Sequence, residues 1–341
     1  MTAPTAPRTY NQTHAPRSYA AGRRRVSIYA SWTYPGEANL DVNVLDDRYN
    51  TMFEFRRVFY PEFEWAASPR SYQQGIAGVL ELILRTWAPF QQFAEEVTGQ
   101  PVPLFQGIDQ AGYPLPLDER VLADADTLLV FGTEILRAQM EPAPEEIEAV
   151  RRFLAREGTC LVVGPHHDIG RSDDPEEREK EFHHHGDVAT PRRQRFGGYA
   201  RALLKGLGVP VENRWGLRSA VVPGTRDVTP LSVLRDLDTR GFLEGVTVFN
   251  YHPHLPHYAV TTDDPRSVRV LATRPIDMTR PPHPFTEAGN REFNAVVWVP
   301  PGGDRAGDVL VADSTLFSSL YGVTDSLKQF WRNIVRGGGA Q

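Results

Sequence analysis

Eight of the ten histidines in this 341-residue chain fall in three short groups, each beside a carboxylate or a proline. His166 and His167 are followed by Asp168, and His183, His184 and His185 are followed by Asp187. His252, His254 and His257 are interleaved with Pro253 and Pro256. Imidazole is the commonest protein ligand for zinc and iron, and a carboxylate often completes a set for harder ions. His166, His167, Asp168 and the run His183 to His185 are therefore candidate ligands for a divalent ion: zinc, iron or manganese. His252, His254 and His257 are candidate catalytic acid–base groups or further ligands. His252 and His254 are spaced i, i+2, which places both rings on one side of an extended chain. Adjacent histidines such as His166 and His167 point apart in a strand. The spacing matches no named metal motif. The plain alternatives are a proline-stiffened turn at 252–257 and a solvated histidine-rich loop at 183–185.

The elements that would position these groups read as α/β. Ala125 to Gly132 is a buried strand, Pro144-Glu145-Glu146 opens a helix, Gly158 ends it, and Thr159 to Gly164 is a second buried strand. Strand, helix and strand within about 40 residues require a right-handed crossover and parallel pairing. His166 follows the second strand directly, and ligands of open α/β sheets bind beyond the carboxyl ends of strands. Further strands are expected at Arg25 to Ser31, Val246 to Tyr251, Val268 to Thr273, Ala295 to Val299 and Asp308 to Ala312. Helices are expected at Tyr72 to Val97, with a kink or break at Pro89, at Phe196 to Leu207 and at Ser326 to Val335. Residues 171–195 read as a polar insertion. The simplest organisation is a loosely docked arm over 1–22, one α/β domain over 23–336 and a flexible tail over 337–341.

Other polar groups have ordinary roles available. Asp313 follows the strand Asp308 to Ala312 and could serve the same pocket, though with Ser314 it better suits the N-cap of a helix starting near Leu316. Glu145 and Glu146 suit the first turn of the helix that Pro144 opens. Asp46, Asp47 and Glu134 also follow strand-like segments. Arg192, Arg193 and Arg195 precede a helix opening with Gly197-Gly198, where they either hold an anion or balance the acids of 173–181. The aromatic stretch from Tyr49 to Trp65 reads as core or a partner surface. Cys160, the single cysteine, lies inside a strand and reads as a small buried hydrophobe.

Three segments resemble the class I glutamine amidotransferase-like superfamily, closest to its gliding-protein-like and trehalose-utilisation-like members. They are Ala125 to Gly164, Gly197 to Val209 (GGYARALLKGLGV) and Asp308 to Ser319 (DVLVADSTLFSS). The resemblance implies a three-layer, flavodoxin-like fold with a mostly parallel central sheet. It does not imply glutamine hydrolysis, because Cys160 sits in a strand interior and not on the glycine-flanked elbow that the nucleophile requires.

Composition narrows the function classes. A formal net charge of −6 disfavours nucleic acid as a partner, and no apolar run reaches the roughly 20 residues that span a bilayer. One cysteine fits a reducing, cytoplasmic setting. No glycine-rich phosphate loop follows the first strand, which weakens a flavin or redox reading. The leading expectation is a metal-assisted hydrolase of a small polar molecule, with a homo-oligomer left open. The alternative is a non-catalytic amidotransferase-like module for ligand sensing or protein assembly.

Overall fold

The computed structural model describes residues 18–31, 86–107, 114–132, 141–186, 192–193, 195–225 and 227–339. Asp46, Asp47, Glu134, Asp187, the aromatic stretch 49–65, the first part of the expected helix 72–97 and most of the expected arm 1–22 lie outside the described residues.

Five strands run parallel: β1 (Val26–Ala30), β2 (Leu104–Gln106), β3 (Thr127–Gly132), β4 (Cys160–Pro165) and β10 (Asp308–Ala312). The sheet order is β2-β1-β3-β4-β10, and it continues antiparallel through β9 (Glu292–Val299), β8 (Arg269–Pro275) and β6 (Ser232–Val233). β5 (Val211–Arg218) and β7 (His254–Val260) form a separate antiparallel ribbon.

The parallel strands read as unbroken apolar runs because both their faces are covered. Every residue of β1, β3, β4 and β10 is buried. Alternate side chains feed two cores. Leu129, Val162 and Leu310 meet Phe90 of helix α1 (86–98), Phe317, and Trp331 of a C-terminal helix, Asp325–Arg336. Val130, Leu161, Val163 and Val309 meet Val150 and Phe153 of helix Pro144–Leu154 and Leu203 of helix Gly198–Gly206. In chain order Glu119–Leu122 is α2, Pro144–Leu154 α3, Pro175–His185 α4, Gly198–Gly206 α5, Pro284–Glu287 α6 and Asp325–Arg336 α7.

The β3–α3–β4 unit is as expected, with β3 and β4 parallel. Cys160 is wholly buried and its thiol is pushed up to about 12 by burial, the state of an inert packing residue. Two expectations are corrected. Residues 246–251 form no strand: the amides of Thr247 and Val248 are taken by the Ser326 hydroxyl, and that of Tyr251 by the Tyr321 carbonyl. The strand begins later, at His254, so His252 and His254 lead into β7 and do not trail a strand. The polar insertion contains α4, capped by the Asp174 carboxylate on the amides of Glu176 and Glu177 and stopped by Gly186 at φ 70°.

Leu310 lies at the centre of the sheet with no exposed surface. Leu310→Ala should cost about 2–5 kcal/mol by loss of burial plus the cavity left behind, read as a lower urea midpoint at unchanged slope.

Candidate metal centre

β4 and β10 lie side by side, so the residues just past their carboxyl ends are neighbours. Past β4 comes His166, whose amide still donates to Gly132 O of β3. Past β10 comes Asp313, and its Oδ2 lies 3.0 Å from His166 Nδ1. The same carboxylate caps the 3-10 turn Ser314–Phe317 by accepting from Thr315 N at 2.7 Å. The chain then runs along β5: Asp168 N donates to Arg214 O and Gly216 N to Asp168 O, while Asn213 Nδ2 donates to His166 O. Gly216 is required at this crossing. A Cβ there would come within 2.3 Å of His167 Cδ2, so only glycine lets the imidazole pass.

His185 arrives from the last turn of α4, and His254 from the first residue of β7, opposite Arg218 of β5. Nε2 of His167 and Nε2 of His185 are 3.1 Å apart, and one ligand atom from each of His167, His185 and His254 lies within 4.8 Å of the others. Metal–nitrogen bonds of about 2.0–2.1 Å in a tetrahedral site imply nitrogens roughly 3.3 Å apart. One pair already has that spacing, and the third needs only a small inward movement. His166 and His252 adjoin the trio: ring centroids are 4.0 Å apart for His166–His167 and 4.8 Å for His252–His254. Three segments distant in sequence thus bring five imidazoles together.

Burial sets their charge. His167, His185, His252 and His254 are buried, and desolvation pushes each well below the usual imidazole range, reinforced by neighbouring histidines and, for His185, His252 and His254, by Arg218. Neutral imidazole is the form that binds a metal. Nδ1 of His167 and of His185 find no hydrogen-bond partner among the described residues. His166 keeps some contact with solvent, its side chain 16% exposed. Its Nδ1–H bond to the carboxylate leaves the Nε2 lone pair free, the arrangement of an oriented base or of a carboxylate-supported ligand.

The other predicted residues lie elsewhere. Asp168 is buried, but its oxygens face Arg201 at 2.5 Å, Arg171 at 3.5 Å and Arg195 at 3.6 Å. It bridges alongside Trp215 of β5, and alternation along the extended chain turns it away from the side His167 occupies. The arginines before α5 accordingly pair with acids: Arg192 with Glu179, Arg193 with Asp173 and Arg195 with Asp168. His183, His184 and His185 are successive helical residues about 100° apart, so one of the three enters the cluster. His183 is exposed beside Glu179. His184 sets Nδ1 2.8 Å from Pro281 O and accepts from Arg218 N through Nε2, with its ring near His283. His257, three residues along β7 from His254, stacks on Trp215 and packs against Phe285.

Sequence reading did not assign Asp313 to His166, although it stands at a strand's carboxyl end, nor Tyr321, whose ring centroid is 3.9 Å from that of His252. Gly216 carried no signal of its role, since the clash it avoids is with a residue 49 positions away. No family model matches the chain, and no curated protein matches its sequence.

Gly216→Ala should displace His167 and weaken divalent-ion binding about 10- to 100-fold with the circular dichroism spectrum retained, measured by titration with zinc. Acid should destabilise the fold through the flanking histidines. Burial pushes His257 down to about 4 and His283 down to about 3. The unfolded chain takes these protons near pH 6.5 and the folded chain refuses them. Stability is therefore full above about pH 6.5 and is lost toward pH 4 and then 3, by about 1.4 kcal/mol per pH unit for each residue. Urea unfolding at stepped pH should show this slope, reduced in His257→Gln.

Proposed function

We propose that this chain is a metal-dependent hydrolase of a small polar substrate, with His167, His185 and His254 holding one divalent ion. The observation that carries the proposal is the meeting of these three buried, neutral imidazoles, drawn from the end of β4, the end of α4 and the start of β7. Three protein ligands with a further position for solvent or substrate is the pattern of catalytic sites, whereas structural sites are closed by four. An all-imidazole set favours zinc or iron over manganese. Such an ion supplies Lewis acidity, polarising the scissile carbonyl or phosphoryl group and making nearby water more acidic.

The chain's own groups supply the proton path. Asp313 accepts from His166 Nδ1–H, which orients the ring. His166 Nε2 then takes a proton from water as the water oxygen attacks, and returns it to the leaving group. His166 is suited to this because it is the one member of the five that is not buried. Of the groups first considered catalytic, His254 becomes a ligand and His257 a packing residue. The order β2-β1-β3-β4-β10, read as 2-1-3-4-5, is that of flavodoxin-like folds, which supports the three-layer flavodoxin-like reading and agrees with a site beyond the carboxyl ends of the strands.

Elemental analysis of tag-free protein dialysed against zinc, iron or manganese should find one ion per chain, lost in His167→Ala and His254→Ala and kept in His183→Ala. His166→Ala should keep the ion and lower hydrolysis of p-nitrophenyl esters or phosphates by about 10²–10⁴-fold. Protein that takes up none of the three ions would overturn the proposal and leave the non-catalytic module.

A further inference from the structure

Arg274 on β8 is 1% exposed, yet Nε, Nη1 and Nη2 all lack a hydrogen-bond partner among the described residues, and no carboxylate there pairs with it. Burial lowers its pKa to about 10, so it stays charged at neutral pH. A desolvated, unpaired guanidinium is costly, and its rigid fork of donors suits carboxylate or phosphate oxygens.

The backbone places this charge beside the histidine centre. Pro275, the next residue, accepts from Ala220 N at 2.9 Å, and Ser219 forms a bridge with Ile276. Ser219 N in turn donates to the carbonyl of Pro253, the residue between His252 and His254. Two more donors stand unused at this junction. His252 Nδ1 accepts from His254 N at 3.2 Å, so the neutral ring carries its proton on Nε2, which is buried without a partner among the described residues. The buried Ser219 hydroxyl is also unpartnered among the described residues.

We propose that Arg274, the His252 Nε2–H and the Ser219 hydroxyl form an oxyanion-binding subsite that takes the carboxylate or phosphate group of a small-molecule substrate. The site presents donors and a cation that no acceptor among the described residues satisfies, which is the complement of an anion and not of a neutral or basic ligand. That the anion belongs to a substrate rests on the hydrolase reading; the subsite itself does not depend on a metal.

Isothermal titration of full-length, EDTA-treated protein with inorganic phosphate and with malonate, at ionic strength held with chloride, separates the two questions. Saturable binding of phosphate, of malonate or of both supports the subsite and tells which oxyanion it prefers. Arg274→Gln should weaken that binding at least tenfold, Arg274→Lys should restore part of it, and Ser219→Ala should lower it less. Absence of saturable binding of either anion to the wild-type protein overturns the proposal, as does unchanged affinity in folded Arg274→Gln. Metal uptake measured on the same samples judges the hydrolase reading separately. Once hydrolysis is observed, Arg274→Gln should reduce kcat/KM for an anionic substrate at least tenfold more than for its neutral ester, and equal losses would remove the subsite's role in substrate choice.

Discussion

The histidine centre depends on the exclusion of water from a volume shared by several imidazoles. In water these rings would titrate near neutrality and repel one another when protonated. Buried together they are held neutral, with lone pairs for a metal and N–H groups for oxygen acceptors. Such packing leaves ring nitrogens of His167, His185, His252 and His254 unpaired among the described residues. Groups buried in this way cost stability, and a fold retains that cost where a ligand offsets it.

The scaffold around the centre divides the labour. The parallel strands are apolar throughout and set the spacing of β4 and β10, which in turn sets the His166–Asp313 pair. The β5–β7 ribbon brings the second set of histidines across and fastens the chain after β4 through Asp168 and Gly216. Helix α4 delivers one imidazole from a run of three and turns the other two to separate duties. Asp168 is neutralised by three arginines, so among the described residues Asp313 is the carboxylate joined to the cluster. Arg274 and Arg218 lie near enough to add to the burial that holds His252 neutral.

Much of the sheet was legible because fully buried parallel strands leave long apolar runs, as in Thr127–Gly132, Cys160–Pro165 and Asp308–Ala312. The elements that escaped notice were those whose composition gave no such run. β5, Val-Glu-Asn-Arg-Trp-Gly-Leu-Arg, is charged along much of its length because it lies in a two-stranded ribbon outside the main sheet. α4 has low apolar periodicity, although Asp174-Pro175 at its start and Gly186 at its end are ordinary helix boundaries. The stretch 246–251 has a strand's composition, but the hydroxyl of Ser326, in the first turn of α7, claims the amides of Thr247 and Val248.

By itself the sequence determined the α/β character, the inert burial of Cys160, the presence of histidines at a strand's carboxyl end and their grouping in three places. Periodicity and burial are local consequences of residue type, so they can be read along one dimension. Only the tertiary structure decided which member of each group faces the common centre, that Asp313 rather than Asp168 joins it, and that Arg274 and Ser219 stand beside it with side chains unpaired among the described residues. Those outcomes turn on strand register, on the 100° step of a helix and on a glycine crossing between remote segments, and a linear pattern holds none of these.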